Sequence, residues 1–301
     1  MNLDLAKTFP RLWSIESGMA MVVTDLHGDW EAYRRYRDRF VELQARGQAD
    51  YLIFTGDLIH AEEAEEDKSL DIVLDLLALQ AIYSSAVICL SGNHEMPHLY
   101  GITLAKGGRN YTPYFEKALS QTQYRSQVIT LFDSLPFYIR TKAGVSLAHA
   151  GASVSTVDPA NALKLFYWSH QELLDWADNV LATEDLAALR AGYTRLHKNI
   201  PYDYLAKRFL AVSGPDDPRY NDLLRGFVVN NYPIFNQILW PALFTRCEQE
   251  YGLADYAIFL DALLKELSVE FYPQQLMVAG HIKVRGGYEI IARRHLRLAS
   301  G

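Results

Sequence analysis

The sequence predicts an α/β protein carrying a helical insert, and three observations lead there. Five short apolar runs, at 19–24, 50–55, 85–91, 143–148 and 275–279, each end in polar residues. Runs of that length rich in Val, Ile and Leu read as buried strands. Helix-like segments at about 28–46 and 67–83 separate the first three runs. Strand–helix–strand alternation points to a sheet whose ligands gather beyond the carboxyl ends of its strands. From about Ser155 to Pro273 the strands give way to periodic helices crowded with aromatics, Tyr167, Trp168, Trp176 and Trp240 among them.

Taken in order, MAMVVT (19–24) runs into Asp25, and DYLIFT (50–55) runs into Gly56-Asp57. The segment 67–83 sets Ile72, Val73, Leu76, Leu77 and Leu79 on one side. SAVICLS (85–91) leads to Gly92-Asn93-His94-Glu95, and AGVSLA (143–148) to His149-Ala150-Gly151. Inside the insert, Ser169 followed by Glu172 reads as a capping box opening a helix through about Leu181, with Leu173, Ala177, Val180 and Leu181 facing inward. Pro215 to Pro218 reads as a turn or surface loop. Leu253, Ala257, Leu260, Leu264, Leu267 and Phe271 recur at four-three spacing. That stripe is read as packing within its own domain ahead of a homodimer seam through the insert. QLMVA (275–279) then meets Gly280-His281. The expected organisation is a core of residues 1–154 plus 274–301, with 155–273 as an aromatic-rich cap or partner surface.

Composition narrows the function. The 301 residues carry 29 Lys and Arg against 36 Asp and Glu, a formal charge of −7. This balance argues against a generic duplex nucleic-acid binder, which needs a cationic surface. It leaves room for a small phosphorylated substrate at a local cationic site. Cys89 and Cys247 are too few for a disulfide framework or a zinc-thiolate motif. Met1 to Pro10 contains Asp4 and lacks a basic region followed by an apolar core, so no signal peptide is evident. No uninterrupted apolar run approaches the ~20 residues of a spanning helix. The expectation is a cytoplasmic protein with no membrane partner.

Four of the nine histidines, His27, His94, His149 and His281, fall just after separate strand-like runs, as do Asp25, Asp57 and Asn93. Singly, each has a dull explanation as a turn or a satisfied histidine. Seven residues of metal-ligand type at five strand ends are hard to reconcile with coincidence. Carboxylate, imidazole and amide oxygen suit divalent ions such as Mn, Fe, Zn or Co, and no thiolate site is offered.

The motifs Asp25-Leu-His27-Gly, Gly56-Asp57, Gly92-Asn93-His94-Glu95, His149-Ala-Gly151 and Gly280-His281, in this order, resemble the calcineurin-like metallophosphoesterases. The likeness is greatest to the phosphoprotein phosphatase branch, which includes bacterial phosphatases and diadenosine tetraphosphate hydrolases. The combination of GNHE with DxHG is specific; HAG and GH alone would be weak. The resemblance implies a two-sheet sandwich flanked by helices and a dinuclear site for two divalent metal ions, manganese among the candidates. In it Asp25 and His27 would hold one ion, Asp57 would bridge, and Asn93, His149 and His281 would complete the second. His94 would stand beside the leaving oxygen as the catalytic group rather than as a ligand. Two cations about 3.5–4 Å apart can clamp phosphoryl oxygens and acidify a shared water.

The chain departs from the family where the second motif usually reads GDxxDRG. His60 replaces the Asp that orients the catalytic His, and Ala61 replaces the Arg that clamps phosphate. An imidazole in the Asp position would depress the His94 pKa rather than raise it. Ser91 stands where an Arg commonly precedes GNHE, and Phe166 to His170 is similar to the family's LWSD segment unless Ser169 and His170 simply start the helix. His60 and Arg109, the latter in the KGGRN loop, are the candidate substrate contacts; Lys283 and Arg285 are further cations, and Gly286-Gly287 reads as a hairpin turn. The acidic run 61–67 reads as the exposed start of the following helix, with a polyanion-repelling lid as the alternative. The expected function is a metal-dependent phosphoesterase acting on a phosphorylated substrate of unknown class. A non-catalytic phosphatase-like scaffold and a plain structural α/β domain are the alternatives.

Overall fold

The computed structural model describes residues 5–63 and 65–300; Asp4, used above in reading the amino-terminal segment, lies outside them. Twelve strands are described: β1 Leu5–Phe9, β2 Leu12–Ile15, β3 Ala20–Val23, β4 Tyr51–Phe54, β5 Val87–Cys89, β6 Ala105–Lys106, β7 Arg109–Asn110, β8 Tyr138–Thr141, β9 Val145–Ala148, β10 Leu276–Ala279, β11 Tyr288–Ile291 and β12 His295–Leu298. They form a seven-stranded mixed sheet in the order β1-β2-β8-β9-β10-β12-β11, a parallel three-stranded sheet β3-β4-β5, and the small β6-β7 hairpin.

The two main sheets face each other. Side chains alternate across a strand, so Tyr51 and Ile53 of β4 point one way while Leu52 and Phe54 point the other. Tyr51 and Ile53 join Ile88, Ile139, Leu147 and Val278 in a buried layer between the sheets. Leu52 and Phe54 instead belong to a larger cluster with Ala32, Tyr33 and Phe40 of helix Trp30–Ala45 and Ile72, Val73, Leu76 and Leu79 of helix Ser69–Tyr83. The expected sandwich flanked by helices is therefore the observed one. Residues 69–86 are apolar and long enough to cross a membrane, yet those four side chains are buried in this core.

Between 155 and 273 the described structure is helical. Helix His170–Thr183 starts as the capping residues require, with Ser169 Oγ accepting from the Glu172 N–H at 3.2 Å. The four-three stripe turns inward: Leu260, Leu264 and Leu267 of helix Leu253–Ser268 are buried in the main cluster, while Leu253 is exposed. Much of the segment shares that cluster with the strands. Residues Tyr193, Tyr202, Leu205, Phe209 and Leu224 build a separate small core of their own.

Buried arginines explain strands that hydrophobic pattern alone does not reveal. Arg140 in β8 is buried and donates to the carbonyls of Leu267 (3.0 Å) and Val269 (2.8 Å), closing the end of the Leu253–Ser268 helix. Arg297 in β12 is likewise buried, pairing with Glu248 and donating to the Gly280 carbonyl beside His281. Gly286-Gly287 does not form the hairpin turn expected of it. It lies in a short 3₁₀ turn ahead of β11, and the β11–β12 hairpin turns through Ala292 and Arg293, both at positive φ.

Candidate metal centre

Strands β3, β4 and β5 run parallel, as do β9 and β10, so their carboxyl ends deliver five loops to one edge of the sandwich. Two of the loops zip together, His27 N–H bonding to the Asp57 carbonyl (2.9 Å) and Gly28 N–H to that of Leu58 (2.8 Å). The Gly280 N–H reaches the His149 carbonyl at 2.9 Å. Asp25, His27, Asp57, His60 and His281 all sit at positive φ, a conformation uncommon outside glycine that Asp and His adopt more readily than most residues.

Glu95 supports the loops from beneath. Its buried carboxylate accepts from the backbone N–H groups of Asp57 (3.0 Å), Leu58 (2.8 Å) and Gly92 (3.1 Å). Burial, with Asp57 nearby, pushes the Glu95 carboxyl up to about 7. Gly92 and Gly280 leave no space for a side chain: a Cβ on Gly92 would overlap Asp57 and Glu95, and one on Gly280 would overlap the Asp25 carboxylate.

Two clusters result, and Asp57 belongs to both. His27, Asp57 and His94 offer ligand atoms within 4.8 Å of one another, as do Asp57, His149 and His281. Asp57 Oδ2 lies 3.8 Å from His27 Nε2, 3.9 Å from His94 Nε2 and 3.5 Å from His149 Nε2. Asn93 Oδ1 is 3.0 Å from His149 Nε2. Asp25 stands slightly aside, its two carboxylate oxygens accepting from the His281 N–H at 2.9 and 2.8 Å.

The donor chemistry fits a cation. His149 gives its Nδ1–H to the Thr55 carbonyl at 2.9 Å, which leaves Nε2 as a lone pair. That lone pair faces the Asn93 amide oxygen, His281 Nδ1 (3.0 Å) and the Asp57 carboxylate. Acceptors packed this closely repel unless positive charge sits among them. The electrostatics agree: burial opposes the Asp57 carboxylate, yet His149, His94, His27 and His281 together hold it below its ordinary value. Burial lowers His149, but Asp57, Asp25 and Glu95 outweigh it and raise that imidazole. Burial drives His94 down to about 4.

The cluster opens into a cleft of about 840 Å³ whose walls include Asp25, His27 and His281, the cations Lys68, Lys106, Arg246 and Lys283, and the acids Asp29, Glu31, Glu62, Glu63 and Glu66. Lys283 is the one sequence-nominated cation on that wall. Arg109 is elsewhere. It donates to the Glu62 carbonyl and pairs with Glu63 (3.0 Å), in a small pocket lined by Glu62, Glu63, Glu65 and Asp67. It is thus paired with the acidic run that precedes the helix at 69–83. His60 is buried behind His94, Nδ1 to Nδ1 at 3.1 Å. His170 starts its capped helix and bonds Tyr100. Sequence reasoning missed Arg246 and Lys68, which carry no motif, and Lys106, the first residue of the KGGRN loop from which Arg109 was chosen instead. It also missed Glu95, whose place as the last letter of GNHE was the available signal.

The Calcineurin-like phosphoesterase family model matches residues 20–226, more than two thirds of the chain, and the protein belongs to that family. It is similar in structure to a cold-active protein tyrosine phosphatase (TM-score 0.50, 13% identity, 98% of this chain and 73% of that one). Two further likenesses are a protein-tyrosine phosphatase of a psychrophilic Shewanella (TM-score 0.43, 14% identity, 98% and 74%) and a Saccharomyces cerevisiae serine/threonine phosphatase with similarity to human PP5 (TM-score 0.43, 16% identity, 93% and 66%). The chain thus spans just under two thirds of the yeast phosphatase's length. At these identities the likeness is one of fold. No curated protein matches the sequence.

Proposed function

We propose that this phosphoesterase-family chain hydrolyses phosphate esters with two divalent metal ions, manganese the first to try, seated on either side of Asp57. The observation that carries the reading is the pair of ligand groups sharing the Asp57 carboxylate. Asp25 and His27 would complete one seat, and Asn93, His149 and His281 the other. Ions bound there would supply Lewis-acid polarisation of the phosphoryl group and an acidified water.

The chain's own residues supply the rest. Asp57, shared by both ligand groups, would supply negative charge to each seat and so offset the repulsion between two cations. Glu95 holds the backbone of the Asp57 and Gly92 loops at fixed distance through three N–H bonds, so the donors are in place before substrate arrives. Lys68, Lys106, Arg246 and Lys283 are the cations of a cleft whose wall also carries Asp29, Glu31, Glu62, Glu63 and Glu66, and an anionic phosphate would be held against those four cations. His94, with Nε2 facing the Asp57 side of the cluster, is the group that exchanges a proton with the leaving oxygen.

The test is turnover of manganese-loaded protein against a phosphomonoester, a phosphodiester and a dinucleoside polyphosphate. Wild type should hydrolyse at least one class, and Asp57→Asn should hydrolyse none while remaining folded. Equal rates for the two proteins would refute the assignment.

A further inference from the structure

Behind His94 runs a buried line of side chains that the reaction as described leaves unused. His94 Nδ1 lies 3.1 Å from His60 Nδ1, and His60 Nε2 lies 3.0 Å from His98 Nε2. His98 Nδ1 then meets Glu116 Oε1 at 2.8 Å. The line is dry. His60, His98 and Glu116 are each buried, and the rings of Tyr111 and Phe115 stack on or edge against it. The outer end is anchored as well, because Glu116 Oε2 accepts from Arg125 (2.6 Å) and Arg219 (3.4 Å).

We propose that Glu116, acting through His98 and His60, decides which nitrogen of His94 carries the proton, so that two imidazoles and a distant carboxylate replace the single carboxylate expected beside that histidine. The proposal rests on the phosphoesterase reading for its kinetic meaning, but its geometry stands alone. An ionised carboxylate only accepts. With one proton per ring, Glu116 takes the Nδ1–H of His98, which leaves His98 Nε2 to accept from His60. His60 Nδ1 must then accept from His94 Nδ1–H. Every bond points away from the cleft, so His94 keeps its Nδ1–H on His60. Nε2 is then the nitrogen that takes up a proton from water and passes it to the leaving oxygen; a neutral ring with its one proton at Nε2 is a far weaker acid. The reverse order would leave the bare Nδ1 of His98 facing the Glu116 carboxylate, acceptor against acceptor.

Glu116→Gln reverses the line for a definite reason. Arg125 and Arg219 hold the Oε2 position, so the amide oxygen turns to them and the NH₂ group faces His98. His98 Nδ1 becomes an acceptor, and each later ring inverts until His94 carries its proton at Nε2. His94 and Glu116 are thus a proton-exchanging group and its positioning residue. His98→Phe cuts the line without disturbing the arginines, in a site already walled by Phe115 and Phe132.

The experiment is ¹H–¹⁵N correlation of the histidine rings in the full zinc-loaded chain, joined to kinetics. Wild type should show His94 protonated at Nδ1 and His60 at Nε2, and Glu116→Gln should exchange both assignments. Unchanged tautomers in that variant would overturn the proposal. In turnover, Glu116→Gln and His98→Phe should each lower kcat by about tenfold or more with KM within about twofold. In a His60→Asp background, where a carboxylate again touches His94 directly, adding Glu116→Gln should change kcat by less than about twofold. An undiminished loss there, or full kcat in His98→Phe, would also overturn it. A wild type that turns over no substrate would defeat the phosphoesterase reading, while the ring assignments would still judge the line of histidines.

Discussion

At Asp57 one carboxylate oxygen lies 3.8 Å from His27, 3.9 Å from His94 and 3.5 Å from His149, so the side chain is held by the group it organises. These residues were legible because each closes an apolar run, where ligands of an α/β sheet collect. Glu95 was not, since it works through backbone N–H groups. Replacing it with Ala would leave the N–H groups of Asp57, Leu58 and Gly92 buried and unpaired, and should cost about 3 kcal/mol in urea unfolding. Gly280→Ala should weaken metal affinity with little change in the rest of the fold, because its Cβ would displace Asp25; metal titration followed by calorimetry measures this. For Glu116, burial works upward, but His98 and Arg125 hold it below its ordinary value of 4.5. A carboxylate depressed in the folded state contributes stability above its unfolded value and loses it as pH falls through the folded one. The stability gap between wild type and Glu116→Gln should therefore be full at neutral pH and close on the acid side, as urea unfolding at about pH 7 and about pH 3 would reveal.

Among the elements, those with clean apolar runs match their reading closely: 19–24 became Ala20–Val23, 50–55 became Tyr51–Phe54 and 275–279 became Leu276–Ala279. Strands carrying buried charge did not show themselves. Arg140 and Arg297 break the apolar pattern of β8 and β12, and their partners lie 126 or more residues away for Arg140 and 17 or more for Arg297. The β11–β12 hairpin was hidden for another reason. Its turn is Ala292-Arg293 at φ 46° and 62°, with none of the Asn or Gly such a turn prefers. Arg293→Gly should raise unfolding free energy by about 0.5 kcal/mol, because glycine adopts that φ without a clash. Ser169→Ala removes the bond to Glu172 N–H and should cost about 1 kcal/mol, read as a lower urea midpoint with unchanged slope.

On the scale of the whole molecule, the cleft that holds His27 and His281 carries Lys68, Lys106, Arg246 and Lys283 on the same wall as Asp29, Glu31, Glu62, Glu63 and Glu66. Composition could not locate these four cations, because they are brought together only by the fold. The acidic run pairs with Arg109 through Glu63, and Glu62, Glu63 and Glu66 also line the cleft that holds His27 and His281. The replacement of Asp by His at position 60 looked in sequence like a lost carboxylate. In three dimensions a carboxylate is present, displaced two rings outward to Glu116. The most direct measurement is elemental analysis of the purified chain after manganese loading and desalting, beside Asp57→Asn treated alike. Two equivalents per wild-type chain and a clear deficit in the variant are predicted. No retained metal in the wild type, or the same content in both, would contradict the account.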